Sequence, residues 1–522
     1  MLDGSTYVPP AQVFKGCEKI LEQLPADATP LDFFKLYFTD AVVNLLVDET
    51  NRFAQQYIAA NVIPPHSAVN DWQPTDQNEM FSFLGLCVLM GIVYKPRLNM
   101  YWSSDLIYKT NIFGETMARD RFLLILRFLH FANNENIDPT DPNRDRLAKI
   151  RPIIDLIRER CAAVYSPPRD VCVDESLVLF KGRLAFKQFI RTKRARFGIK
   201  IYQLCTTTGI LLDFLVYHGK MSDELLAFPD QQFTSSELIP LTLMRNLLNK
   251  GHRLFVDNFY TSPAMAAFLM EKDTRLVGTV RFNRKNFPGD LAAADTQRGE
   301  TKFAISDHGV LAVKYRALQD KANKKPKVVC MLSTDHANTI APAPKTDKDG
   351  NAVLKPTCVL DYNRCMGGVD LNDQQLEAIL AIRKSYKWYK KLFFRFLLQC
   401  LLSAHKLFKI AGGRNDFLKF LHDVVTQLLA LSPRLKPSAA VDSIARLTGR
   451  NHFPCKREYE GQGSRRSSKK KACRVCYARG LRTAKGGVIE TTWICDACPT
   501  APGLCVEKGC FKHYHTKFDY SS

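Results

Sequence analysis

Acidic residues are in short supply: 74 lysines and arginines face 52 aspartates and glutamates across 522 residues, a formal charge of +22. That balance favours a polyanionic partner, and alone it gives affinity rather than sequence choice. Long apolar runs are also missing. Stretches such as Phe81 to Val93 are too short to cross a bilayer, so no membrane partner is expected. The first residues, Met-Leu-Asp-Gly-Ser-Thr-Tyr, lack the basic region and apolar core of a signal peptide, and none is expected. No internal repeat is visible. Sixteen cysteines do not make a disulfide framework here. Cys17, Cys87, Cys161, Cys172, Cys205, Cys330, Cys358, Cys365 and Cys400 stand singly among apolar residues, as reduced core cysteines do. The expected compartment is reducing, cytosolic or nuclear.

What is present begins with apolar material, 46% of the residues, enough to bury a large core in three or four domains. Residues 1–30, with Pro9, Pro10, Pro25 and Pro30, read as a poorly packed lead-in. From Leu31 to about Tyr165 apolar residues return every three or four positions, which predicts helices. The pattern then becomes mixed α/β. Val171-Cys172-Val173 is a short apolar run ending at Asp174. Gly198 to Thr206 and Ile210 to His218 form a hairpin through Thr208-Gly209. Arg253 to Asp257 is a further strand ending in an acid, followed by a helix from Ser262 to Lys272 and a strand at Arg275 to Val280. Residues 281–357 read as a β-rich insertion. Leu376 to Ile410 reads as strongly helical, and helices continue to about Thr448. Residues 456–471 form a basic, Gly/Ser-rich linker.

Three acidic signatures carry the chemistry: Val-Asp-Glu-Ser around Asp174, Val-Asp-Asn-Phe-Tyr around Asp257, and Gly-Gly-Val-Asp-Leu-Asn-Asp with Asp370 and Asp373. Hard divalent cations prefer carboxylate oxygens, and a pair of them suits phosphodiester chemistry. Neighbouring strands ending at one sheet edge would bring Asp174 and Asp257 together. Asp370 and Asp373, three apart on a helix, would share a face. Each signature has basic company: Lys181, Arg183, Lys187, Arg191, Lys193 and Arg194 after the first, Arg281, Arg284 and Lys285 after the second, Lys384 and Lys387 after the third. Cations there would let phosphates approach a carboxylate cluster that otherwise repels them. Tyr386, Trp388 and Tyr389 read as helical core packing in preference to base stacking.

Beyond position 470, Cys473-x2-Cys476, Cys495-x2-Cys498, Cys505, Cys510, His513 and His515 give eight soft ligands, enough for two tetrahedral zinc ions. A cross-brace would join Cys473 and Cys476 with Cys505 and Cys510. Cys495, Cys498 and the pair His513 and His515 would hold the second ion. Cys455 and His452 lie outside this array and are not expected to be ligands. With every position filled by protein, such sites are structural.

Taken together, Asp-Glu-Ser near Lys181-Gly182-Arg183, Phe-Val-Asp-Asn-Phe-Tyr-Thr-Ser, Gly-Thr-Val-Arg, Asp-Tyr-Asn-Arg-Cys-Met-Gly-Gly-Val-Asp and the Cys/His ending resemble the piggyBac transposase family. The resemblance implies an RNase H-like core over 169–280 and 358–378, with the β-rich insertion at 281–357. It implies an all-α dimerisation and DNA-binding domain from both sides of the core, 31–168 and 379–450. A basic linker at 451–472 and a cysteine-rich zinc domain at 473–518 complete the expected organisation. By the same resemblance Asp174, Asp257, Asp370 and Asp373 are catalytic, and the first three bind two Mg2+ or Mn2+ ions. The implied reaction is cut-and-paste transposition: ends of a transposon are nicked, the freed 3′-hydroxyl forms a hairpin, and the ends join a TTAA target. Double-stranded DNA with terminal inverted repeats and a second copy of the chain are the implied partners. Arg465, Arg466, Lys469, Lys470 and Lys471 would track phosphates and suit nuclear import. Two other readings remain open: a domesticated, non-catalytic DNA-binding protein, and a RING-like module in place of a DNA-binding zinc domain.

Overall fold

The structure is a computed structural model that describes residues 7–138, 140–191, 196–219, 221, 224–228, 233–317, 328–346, 350–379, 385, 387–432, 452–456, 470–498, 500–517 and 520. They divide into two compact units, residues 1–431 and 432–522.

The first unit is built on a nine-stranded sheet. Its strands are β1 (Asp170–Leu179), β2 (Gln188–Phe189), β3 (Phe197–Thr206), β4 (Leu211–Val216), β5 (Arg253–Val256), β6 (Arg275–Val280), β7 (Thr301–Ile305), β8 (Leu311–Arg316) and β9 (Val328–Ser333). Their order is β2-β3-β1-β5-β6-β9-β8-β7, with β4 also paired to β3. The series β4-β3-β1-β5-β6, in which β1, β5 and β6 run parallel, is the RNase H-like arrangement. A parallel pair needs a crossover. Between β5 and β6 it is the helix Pro263–Glu271, which Ser262 caps by accepting from the Met265 N–H at 3.1 Å. The expected hairpin β3–β4 is present, and Gly209 at its turn takes φ +84°, where a side chain is strained.

Two expectations about the sheet need correcting. Asp174 was expected where a strand stops, but β1 continues five residues past it. Glu175 to Leu179 pair with Tyr202 to Gly198 across β3, so Asp174 and Glu175 lie at partly exposed positions inside the strand rather than at its end. The insertion also begins as part of the core. Strand β9 pairs antiparallel with β6, from Cys330↔Val280 to Ser333↔Val277, so β9, β8 and β7 extend the same sheet. Past them, β10 (Ile340–Thr346) and β11 (Ala352–Pro356) form a hairpin of their own.

Helices α1 (Pro30–Lys35), α2 (Asp40–Ala60), α3 (Gln77–Ile92), α4 (Arg119–Phe128) and α5 (Arg151–Val164) precede the sheet. Helices α6 (Thr357–Cys365), α7 (Gly368–Glu377), α8 (Trp388–Ile410) and α9 (Phe417–Ala430) follow it. The two groups share one core, as expected. Phe33 meets Phe408 at 5.4 Å between ring centroids and Phe131 meets Phe393 at 4.7 Å. Gly85 of α3 lets α9 approach, since a Cβ there would lie 2.9 Å from Leu429 Cδ2. Phe396 of α8 packs on Phe214 of β4 at 4.5 Å, which joins this core to the sheet. The long helix expected over Leu376 to Ile410 is instead two, α7 and α8, and the described residues between them are not helical. Tyr389 is buried against His130 and Phe131, as its helical packing predicts; Tyr386 lies outside the described residues.

The lead-in is a strap rather than a loose tail. Tyr7 donates to the Gly309 carbonyl at 2.8 Å, Arg275 donates to the Pro10 carbonyl at 2.7 Å, and Lys15 pairs with Asp273 at 2.5 Å. Lys19–Ile20 then pairs with Tyr165–Ser166. Backbone and side-chain hydrogen bonds, not apolar periodicity, hold this segment, which is why its sequence reads as unstructured.

At the start of β5, Arg253 ties the core to α6. Its guanidinium meets Asp170 at 2.6 Å, Asp335 at 2.9 Å and Asp361 at 2.6 Å while only 11% exposed. Against the effect of its burial, a hydrogen bond from His336 and the charges of Arg253 and Arg364 hold Asp361 well below the usual carboxylate range. Arg253→Met is expected to cost about 3–5 kcal/mol, because it leaves Asp170 without its ion-pair partner and takes one of the cations from Asp335 and from Asp361, which keep Arg169 and Arg364. Urea denaturation of the variant checks this.

Candidate functional site

Strand register brings two of the acidic signatures together. Strands β1 and β5 are parallel and in register from Asp170↔Arg253 to Val173↔Val256. The next residues are Asp174 and Asp257, so their backbones lie about 4.8 Å apart, one strand spacing. Asp257 is fixed by its own turn, its Oδ1 accepting from the Phe259 N–H at 2.9 Å. Burial raises its pKa above the ordinary aspartate value, and the nearby Glu175 adds to the effect. Tyr362 of α6 feels both aspartates: burial first, then Asp257 and Asp174, hold its phenol protonated far above the usual range.

The third signature arrives on α7. The helix is pinned to β1 two residues on either side of Asp174. At Cys172, a Cβ added to Gly368 would lie 2.7 Å from the sulfur and 2.2 Å from the Thr206 carbonyl, so only glycine permits this approach. At Ser176, the hydroxyl donates to Asp373 Oδ1 at 2.7 Å. Asp174 lies midway between these anchors on the same strand face, and Asp370 lies between Gly368 and Asp373 on the helix. Asp370 is exposed in that first turn, where a carboxylate complements the helix dipole. Asp373 has a separate partner: Arg395 of α8, 11% exposed, forms an ion pair with the oxygen that Ser176 donates to. Its position therefore fixes α7 to β1 and α8.

The donor set fits hard cations, being all oxygen at this point of the sheet. Opposite Asp174 on β3 lies Gln203, fully buried, with neither amide atom hydrogen-bonded. A buried amide without partners is costly and marks a place where a polar ligand would be welcome. Nothing in its sequence surroundings singled out Gln203. Among the described residues, the ligand oxygens of Asp174, Asp257 and Asp370 do not form a group lying within 4.8 Å of one another, whereas three other groups do. One of these, Asp335, His336 and Asp361, is already engaged by Arg253.

The raised Asp257 has a consequence for stability. A carboxyl whose folded value is raised favours the fold below its unfolded value and loses that advantage as pH rises through the folded one. Asp257→Asn, without added magnesium, should therefore raise the melting temperature near neutral pH and leave it unchanged below about pH 4. Thermal melts across that range check the sign.

Of the cations expected to meet phosphates, Lys181, Arg183, Arg191, Arg281, Lys285, Lys387 and Lys470 are exposed. Lys187 is half-buried and donates to the Gly182 carbonyl at 3.2 Å. Arg284 donates to the carbonyls of Asn258 and Phe259. Lys471 donates to the carbonyls of Thr500 and Ala501, at 3.1 and 2.7 Å, which gives it a structural task. Lys193, Arg194, Lys384, Arg465, Arg466 and Lys469 lie outside the described residues.

In the second unit the cysteines gather into two groups whose ligand atoms lie within 4.8 Å of one another: Cys473, Cys476, Cys505 and Cys510, and His452, Cys495, Cys498 and His515. The first is the expected set. The second replaces His513 by His452, a correction. On the helix Cys510–Thr516, His513 and His515 are two residues apart and point to nearly opposite sides, so one site cannot take both. His452 comes from the far side of the linker, because Cys455 pairs with Ile494 and sets the preceding residues beside Cys495. Its Nδ1 lies 3.4 Å from Cys495 Sγ and 3.6 Å from Cys498 Sγ, while His515 Nε2 lies 3.5 Å from Cys498 Sγ. Zinc bonds of about 2.3 Å to sulfur and 2.0–2.1 Å to nitrogen, at tetrahedral angles, put a sulfur and a nitrogen ligand about 3.5–3.6 Å apart. The His515 Nδ1–H donates to the Phe511 carbonyl at 2.8 Å, which makes Nε2 the nitrogen that would ligate.

A sheet of this order with acids on adjoining strands defines a class, and the comparisons agree with it. The chain belongs to the transposases: the family model described as Transposase IS4 matches residues 29–405, and one described as DDE_Tnp_1-like zinc finger matches residues 461–516. Human PiggyBac transposable element-derived protein 3 is 27% identical over 508 residues, covering 94% of this chain and 76% of the relative. Human PiggyBac transposable element-derived protein 2 is 26% identical over 412 residues, 76% of this chain and 64% of that one. A cryo-EM structure of a piggyBac transposase synaptic complex with hairpin DNA matches the fold with a TM-score of 0.67 at 22% identity, covering 94% of this chain and 98% of the other. The motif resemblance to the piggyBac transposases is thereby borne out.

Proposed function

We propose that this chain cuts and joins DNA by metal-dependent nucleotidyl transfer, with Asp174, Asp257 and Asp370 as the catalytic metal ligands. The observation that supports this is the parallel register of β1 and β5, whose next residues are Asp174 and Asp257, with α7 packed on β1 on either side of Asp174. When bound, a pair of Mg2+ ions would activate a water or 3′-hydroxyl and stabilise the leaving oxygen. The protein's own residues do the rest. The Phe259 N–H holds Asp257, the Arg395 pair and Ser176 hold α7 through Asp373, and Gln203 offers an unused amide at Asp174. Lys181, Arg183, Arg281 and Lys285 offset the charge of incoming phosphates.

The finer reading is cut-and-paste transposition through a hairpin into TTAA targets, by a synaptic homodimer in the nucleus. The similar synaptic complex with hairpin DNA supports the synaptic and hairpin parts of this reading. In this reading each four-ligand group in the second unit holds one structural zinc, and the module recognises transposon ends. A second reading, a domesticated DNA-binding protein without catalysis, is favoured by the human relatives named transposable element-derived. Full-length protein with end-containing DNA in Mg2+ separates them: nicking supports the enzyme, and tight binding without nicking supports the binder.

A further inference from the structure

The loop 281–287 leaves β6 beside the turn that leaves Asp257, because β5 and β6 are parallel and in register up to Val256↔Gly278. The two turns are tied together. Arg281 Nε donates to Asn258 Oδ1 at 3.2 Å, and Arg284 donates to the Asn258 and Phe259 carbonyls. The loop is also closed on itself: the Arg284 N–H meets the Arg281 carbonyl at 3.0 Å, and the Phe287 N–H meets the Arg284 carbonyl at 3.1 Å. Phe287 is buried beneath it. In this fixed frame Phe282 is 65% exposed, between the exposed cations Arg281 and Lys285. Local packing gives no account of an aromatic ring held in water at that place, since burying it is favourable by a few kilocalories.

We propose that Phe282 is a stacking platform for an unpaired base of DNA at the Asp257 site, with Arg281 and Lys285 on the flanking phosphates; this rests on the DNA-processing reading above. The cations around the ring select a polyanion over an apolar protein surface. The flat ring selects a base, and stacking works for any base because each has a π-face. Paired bases inside a duplex have their faces covered by neighbours, so the base taken must be extruded or lie in a single-stranded stretch. Arg284, occupied with backbone carbonyls, sets the loop and takes no phosphate.

The test uses full-length protein, without added magnesium, and two probes: a blunt DNA duplex and the same duplex with a short single-stranded tail carrying 5-iododeoxyuridine. Ultraviolet cross-linking of the tailed probe should map to Phe282. Phe282→Ala should lower affinity for the tailed probe about tenfold, within the range of stacking on one aromatic, and leave blunt-duplex affinity unchanged; Phe282→Trp should restore the tail preference. Equal tail binding by Phe282→Ala, or cross-links mapping elsewhere, overturns the inference. So does a Phe282→Ala variant whose sedimentation changes while its tail preference does not, which would assign the ring to a protein contact. Nicking by the unaltered protein in Mg2+ is scored separately. A lost tail preference without any nicking leaves the platform standing and removes the enzymatic reading; nicking that proceeds with no effect of Phe282→Ala on the tail does the reverse.

Discussion

Asp174→Asn and Asp257→Asn are each expected to abolish DNA nicking in Mg2+ while leaving DNA binding within about twofold. Asparagine keeps the volume and the acceptor for the Phe259 N–H, but it removes the charge that a hard cation requires. Losing one ligand of a metal pair should cost about 4 kcal/mol or more of transition-state stabilisation, on the order of a thousandfold in rate. Gel assays of end-containing DNA measure the chemistry, and fluorescence anisotropy of the same DNA measures binding. Retained cleavage in either variant removes that residue from the catalytic set. Asp373→Asn belongs to a different class, because its carboxylate neutralises Arg395, which is only 11% exposed. Its first effect should be a loss of stability, with activity falling as α7 loosens.

Zinc content gives the second large effect. His452→Ala should lower bound zinc from two ions per chain to one, whereas His513→Ala should leave two. Elemental analysis of the purified proteins decides between the two histidines. The module has little else to hold it: its buried apolar core beyond the cysteines is Val475, Ile489, Leu504 and Tyr514. Structural zinc contributes about 10–16 kcal/mol in small modules, so chelation should unfold residues 470–517. Trp493, two residues before Cys495, reports the loss through its fluorescence. A module that stays folded after both ions are stripped would overturn the structural role.

Much of the site was legible along the chain because its chemistry is local. Val-Asp-Glu-Ser and Val-Asp-Asn-Phe-Tyr place acids against apolar strands, and Cys-x2-Cys pairs announce a metal at short range. The second glycine of the Gly-Gly-Val-Asp signature, Gly368, is where α7 touches β1 and β3. The errors share one cause. His452 is separated from Cys495 by 43 positions and reaches it through a two-residue strand pair. Gln203 faces Asp174 only because of the β1–β3 register. The strap over residues 7–20 is held by partners as distant as Gly309 and Asn338. No periodicity within a window of residues encodes such contacts.

The order of elements, the acidic signatures with their basic neighbours, and the reduced, metal-ready cysteines follow from the amino-acid sequence alone, because side-chain chemistry and short-range periodicity suffice for them. Which carboxylates become neighbours, which histidine completes the second cysteine group, and that Asp373 is committed to Arg395 were decided only by tertiary structure. Strand register and helix phase convert separations of tens to hundreds of residues into distances of a few ångströms, and both are set by the packing of the whole sheet and its helices rather than by any one segment.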